Sequence, residues 1–156
     1  MAGPNLKDLL SRKLGDVKQP PHIPAGTWRL RSMVKPVFRK SREKQTPGYE
    51  FTLGLVSAMD DVDEVEFAEF SEFYVGNFSG VSKKVTFWIT DGNLFMFTNF
   101  LKDVCGLSPD LGIEEALAST LNVEMLGVFK KQISERNGLP FTALDSSDLA
   151  PLGDVA

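Results

Sequence analysis

Residues 27–39 alternate with a period of two, and that pattern confines them to a strand. Trp28, Leu30, Ser32, Val34, Pro36 and Phe38 fall on one face, and Arg29, Arg31, Met33, Lys35, Val37 and Arg39 on the other. Successive side chains of a strand point to opposite sides. The segment therefore reads as a strand with one apolar and one basic face. Pro36 has no N–H to give to a ladder, so an edge, a bulge or a break is expected there. Residues 49–58 read as a second strand, with Tyr49, Phe51, Leu53 and Leu55 on one face and Gly54 suiting a bulge where a sheet curls. Polar residues 40–48, ending in Pro47-Gly48, join the two as a hairpin with a long basic tip.

Residues 59–72 carry seven acids and no basic residue, punctuated by Val65, Phe67 and Phe70. A loop and a short helix both fit them. Phe73-Tyr74-Val75 reads as the beginning of a strand, interrupted at Gly76 to Gly80. Residues 84–90 alternate again, with Val85, Phe87 and Ile89 opposite Lys84, Thr86, Trp88 and Thr90. Asp91-Gly92-Asn93 then turns the chain, and the spacing predicts helices over 93–105 and 113–120. Glu114 and Glu115 sit at the N-terminal end of the second helix, where the helix dipole favours acids. Residues 121–133 form a long strand with a bend at Gly127. Asn137-Gly138 is a tight-turn signal, and 139–144 is the last strand.

Ahead of this lies a basic arm and Pro-rich linker, 1–26. Leu6, Leu9, Leu10 and Leu14 predict a short helix over 4–14 that Gly15 ends, and Gln19 to Pro24 reads as stiff and extended. The tail, 145–156, reads as loose and acidic. Five strands with a helix or two between the third and fourth is the order of an OB-type Greek-key barrel. The expectation is thus a mainly β fold: a five-stranded barrel over 27–144, an acidic and aromatic insert at 59–80, and an N-terminal arm. The competing architecture is an antiparallel sheet with helices packed on one face.

The chain has 156 residues, the size of one domain. Its single cysteine, Cys105, cannot pair internally and reads as a small buried apolar residue. A lone cysteine favours a reducing compartment. The sequence holds no apolar run long enough to span a bilayer, and the charges of residues 1–16 do not suit a signal peptide. A cytoplasmic location with no membrane partner is expected. The net charge of −4 is unevenly spread. Residues 1–44 hold eleven Lys or Arg and three acids, a net of +8, whereas the remainder is −12. Such asymmetry points to nucleic acid or a membrane surface as partner of the basic part.

Single strands of nucleic acid are held by a positive groove that tracks phosphates and by aromatic platforms on which bases stack. Arg29, Arg31, Lys35, Arg39, Lys40, Arg42 and Lys44 are the candidate cations. Four of them, Arg29, Arg31, Lys35 and Arg39, share one strand face at about 7 Å per two residues, close to the phosphate repeat of an extended strand. Trp88, between Thr86 and Thr90, is the first candidate platform and Tyr74 the second. Lys84, with Lys83 beside it, and the pair Lys130 and Lys131 extend the groove if the fold brings them to it. Tyr49, Trp28, Phe38 and Phe51 read as core, as do Phe87, Phe95, Phe97 and Phe129. His22 is the only histidine and lies in the linker, and the acidic insert lacks the spacing of a calcium loop. No catalytic set, metal site or cofactor is expected, so the chain is not expected to be an enzyme.

The chain resembles the phage-encoded OB-fold single-stranded DNA-binding proteins of replication and recombination modules. The resemblance lies in Ile23 to Leu30 entering the first strand, the basic hairpin to Tyr49-Glu50-Phe51-Thr52-Leu53, the Asn93-Leu94-Phe95 helix, and Leu121-Asn122-Val123, and spans about residues 23–144. It implies a protein that binds single-stranded DNA, or RNA, with little sequence preference in the host cytoplasm. Partners among replication or recombination proteins fit it, and an oligomer is compatible with it. Two departures are the charge of 59–72 and the absence of a dense acidic tail ending in an aromatic residue. Two other classes of function fit parts of the sequence: a virion structural or protein-interaction component, and an acidic inhibitor that mimics DNA through residues 60–72.

Overall fold

The computed structural model describes residues 6–11, 14 and 20–152. Its centre is a seven-stranded antiparallel sheet: β1 (Gly26–Ser32), β2 (Val37–Lys40), β3 (Pro47–Ala58), β4 (Ser82–Trp88), β5 (Glu124–Ile133), β6 (Pro140–Ala143) and β7 (Leu149–Pro151). Helices are α1 (Leu6–Leu10), α2 (Glu64–Tyr74), α3 (Leu94–Asn99) and α4 (Ile113–Ala118). The fold is mainly β, as expected, but with seven strands instead of five. The alternating segment 27–39 breaks into β1 and β2 at residues 33–36, around Pro36. The last strand expected at 139–144 is β6, and β7 forms in the segment expected to be a loose tail.

Both halves of the broken strand pair with β3, β2 with its first residues and β1 with its last. β4 pairs with the other edge of β3 over Gly48 to Gly54, and β5 pairs with the free side of β1. β6 and β7 both pair with β5. The sheet thus runs from β4 through β3, β1 and β5 to β6 and β7. No ladder joins β4 to β6 or β7, so it is open along that seam.

The apolar parity of each strand makes the core. Trp28, Leu30, Phe51, Leu53 and Met125 have no exposure, and Phe97, Phe100, Leu117 and Phe129 close over them. Each such side chain contributes roughly 1.5–3 kcal/mol by leaving water. The glycines read as bends serve as packing space. At Gly127 an added Cβ would lie 2.6 Å from Leu30 and 3.0 Å from Leu144. At Gly54 it would lie 2.7 Å from the sulfur of Met33. The register shift of this sheet falls between Arg29 and Leu30.

The acidic segment is a helix. Asp63 caps α2 by accepting from the Glu66 N–H at 2.9 Å, and Glu64 and Glu66 lie in the first turn, where the dipole favours them. Asp61 ties the segment to β1, accepting from the Thr27 N–H at 2.8 Å and its hydroxyl at 2.7 Å. These bonds, the backbone one foremost, hold its carboxyl below the usual range. Phe73 and Tyr74 end α2 and do not begin a strand. The misleading residue is Val75, a β-branched side chain in the left-handed cap position usually taken by glycine.

The tail from 145 is not loose as far as residue 152. Leu149 pairs with Gly127 and is buried, and Asp148 forms an ion pair with Lys130 at 2.8 Å. Leu144 and Leu149 together fill the space above Gly127, which anchors the intervening turn. In the arm, α1 ends at Leu10, before the end of the helix expected over 4–14. Arg12, Lys13, Gly15 and Lys18 lie outside the described residues. No helix among the described residues is long and apolar enough to cross a membrane.

Candidate nucleic-acid interface

Directly paired residues of adjacent strands share a face. The register therefore shows what stands together on the outer side of the sheet. Arg31 is opposite Gly54, Arg39 opposite Gly48, Glu50 opposite Thr86, Thr52 opposite Lys84, and Gly48 opposite Trp88. From β5, Glu124 stands opposite Arg31 and Leu126 opposite Arg29. One continuous surface thus gathers Arg29, Arg31, Arg39 and Lys84 with Trp88 and Thr86.

Trp88 is 42% exposed, whereas the other tryptophan, Trp28, is fully buried and donates its Nε1–H to the Pro24 carbonyl at 3.0 Å. Gly48 makes the seat for Trp88: a Cβ there would lie 2.7 Å from the indole ring. Asn93 holds the strand end by donating to the Trp88 carbonyl at 2.8 Å and accepting from the Thr90 N–H at 2.7 Å. The indole is thus supported on one side and open on the other, as a stacking platform requires.

Two acids enter this surface that its basic residues gave no sign of. Glu124 binds the Arg29 guanidinium through two nitrogens, the shortest contact being 2.7 Å, and reaches Arg31 at 3.3 Å. Glu50 stands 3.5 Å from Arg39 and 3.9 Å from Lys84. Each carboxylate so bridges two of the four cations. The hydrogen bonds from Arg29, with a smaller contribution from Arg31, hold the Glu124 carboxyl below its ordinary value of 4.5. Lys35, in the break between β1 and β2, and Lys40, Arg42 and Lys44, at the hairpin tip, are exposed and form no ion pair among the described residues.

Three of the candidates lie elsewhere. Tyr74 is half-buried in the aromatic packing under α2, with its ring centroid 4.9 Å from both Phe70 and Phe73. Lys130 is paired with Asp148, and Lys131 with Glu66 of α2 at 2.9 Å. As adjacent strand residues the two lysines point to opposite sides, and Lys131 lines a separate cavity with His22, Glu69 and Phe141. Two residues read as core are exposed instead. Phe38 is 49% exposed because β2 carries it past the core, where it packs on the Tyr49 ring at 5.8 Å. Phe95 is 61% exposed because α3 turns Phe97, not Phe95, inward. Their neighbours Leu94 and Met96 are also exposed, which leaves an apolar rim beside Trp88.

Cys105 is half-buried, and burial pushes its thiol up to about 12, the behaviour of a packing residue rather than a reactive thiol. Among the described residues no group of three or more His, Cys, Asp or Glu side chains could hold a metal ion. No protein-family model matches the chain, and no curated protein matches it.

The bridging carboxylates compete with any phosphate for the same guanidinium and ammonium groups. Replacing one by glutamine removes a charge a few ångströms from where a phosphate bound to these cations would lie, an effect of about 1 kcal/mol at a protein surface. Glu50→Gln and Glu124→Gln are each expected to tighten single-strand binding about fivefold in an anisotropy titration. Weaker binding in both would contradict this and make the acids holders of the cations. Glu124 also links stability to pH. Its folded-state pKa is depressed, so its contribution is full above about pH 4.5 and is lost as pH falls through the lower folded value. Thermal unfolding of Glu124→Gln between pH 6 and 3 is expected to show a shallower acid slope than the parent.

Proposed function

We propose that the chain binds single-stranded DNA on the outer face of β1 to β4, with little sequence preference and no catalytic step. Phosphates lie against Arg29, Arg31, Arg39 and Lys84, a base stacks on Trp88, and the hairpin tip with Lys40, Arg42 and Lys44 gathers the flanking backbone. The observation that carries this reading is the placement of an exposed indole, seated on Gly48, on the same face as four cations from three strands. A strand order of β4-β3-β1-β5-β6, with β7 beside β5, is also that of an OB barrel opened at one seam, an architecture used for oligonucleotides. Its likeness to the phage-encoded binders makes transient coating of exposed strands in replication or recombination, in the host cytoplasm and beside other proteins of those processes, the fitting role.

Oligo-dT titrations at two salt concentrations test it. With about four phosphates neutralised and a slope near −0.7 per phosphate, affinity is expected to fall about 50-fold between 50 and 200 mM salt. No binding at low salt, or binding indifferent to salt, would overturn the proposal.

A second reading is a protein-interaction component. It is favoured by the exposed apolar rim of Leu94, Phe95 and Met96, which nucleic acid need not cover. Concentration-dependent assembly without DNA, lost on Phe95→Ser, would support that reading.

A further inference from the structure

The open seam between β4 and β7 holds a cavity of about 400 Å³, within the roughly 300–1,000 Å³ typical of ligand sites. Its walls are apolar, from Phe87, Phe97, Phe100 and Leu149, and Asp103, Ser146 and Ser147 also line it. Trp88 lines it too, so the cavity adjoins the basic face through the proposed stacking platform. The helix forming its wall widens to a π-helical turn at Phe100–Val104, with the Cys105 N–H bonded to the Phe100 carbonyl at 3.0 Å. Such turns recur at functional sites because they re-aim side chains. Asp103 is exposed and has no ion pair among the described residues.

We infer that this cavity takes one nucleobase of the bound strand and, as the one exception to the weak sequence preference of the outer face, favours at that position an amino-bearing base over a uracil- or thymine-type base. The inference rests on the reading of the outer face as a single-strand interface. The apolar walls suit a flat ring, and the cavity is large enough for one. A phosphate is repelled by Asp103, so the backbone stays with the cations while the neutral base turns inward past Trp88. The Asp103 carboxylate only accepts hydrogen bonds. It takes one from the exocyclic amino group of cytosine, and it faces the carbonyl oxygen of uracil at the same ring position unfavourably. Ser146 and Ser147 hydroxyls can donate or accept, so they serve the remaining edge of either base.

Equal-length oligo-dC and oligo-dU, which differ in the base at that position and its neighbouring ring nitrogen, test the idea at low salt with the full chain. The parent is expected to bind oligo-dC about tenfold or more tightly, the scale of one charged hydrogen bond made rather than lost. Asp103→Asn, whose amide can both donate and accept, is expected to bring the two within about twofold while keeping the melting temperature. Equal affinities in the parent, or a preference that survives Asp103→Asn, would overturn the inference and leave single-strand binding intact. Failure to bind either strand would overturn both.

Discussion

Replacing Trp88 by alanine is expected to weaken binding to a single-stranded oligonucleotide about 5- to 150-fold, the range of one lost base stack. The indole is exposed, rests on Gly48 and contributes no core packing comparable to that of Trp28. Thermal unfolding of Trp88→Ala is therefore expected to stay close to the parent, which separates lost contact from lost fold. Trp88→Phe keeps a flat ring in the same seat and should recover most of the affinity. Fluorescence gives an internal check, because the chain has two tryptophans and one of them is fully buried. Quenching by oligo-dT should belong to Trp88 and disappear in Trp88→Phe. Unchanged affinity in Trp88→Ala would remove the platform from the proposed interface.

The second large effect concerns Trp28, and it is an effect on stability. Its indole is fully buried, with ring centroids of Phe67, Phe70 and Phe78 at 6.0, 5.7 and 5.8 Å. It packs α2, despite its acids, against β1 through Phe67 and Phe70. Trp28→Ala leaves a large cavity and an unpaired Pro24 carbonyl, and the expected cost is about 3–5 kcal/mol. Against a total of about 5–15 kcal/mol that is a large fraction, and the melting temperature should fall by about 6–20 °C. Circular dichroism melts check it. A loss below about 1 kcal/mol would mean that α2 is held by the Asp61–Thr27 bonds instead.

Much of the proposed interface was legible in the alternation of residues 27–39. Parity alone put Arg29, Arg31, Lys35 and Arg39 together, of which Lys35 falls in the break between β1 and β2, and the flanking threonines marked Trp88 as a surface residue. Neither conclusion needed distant contacts. Features set by distant contacts were not legible. Glu124 meets Arg29 across 95 positions of chain, and Glu50 reaches Arg39 and Lys84 through the register of three strands. Local pattern carries no trace of either. Tyr74 was misplaced because Val75 takes a backbone conformation that its side chain does not announce. Lys130 and Lys131 looked like a pair, but adjacent strand residues diverge, and each found a separate acid. The tail looked loose, and its order as far as residue 152 depends on Leu144 and Leu149 filling the space over Gly127.

The most direct test of the outer face as the nucleic-acid interface is a residue-by-residue map of amide chemical-shift changes as oligo-dT is added. The largest changes are expected at residues 29–31, 39–44, 48–52 and 84–88, with little change along α2. Changes centred on α2, or on β6 with Lys130 and Lys131, and absent from β3 and β4, would contradict the assignment of that face.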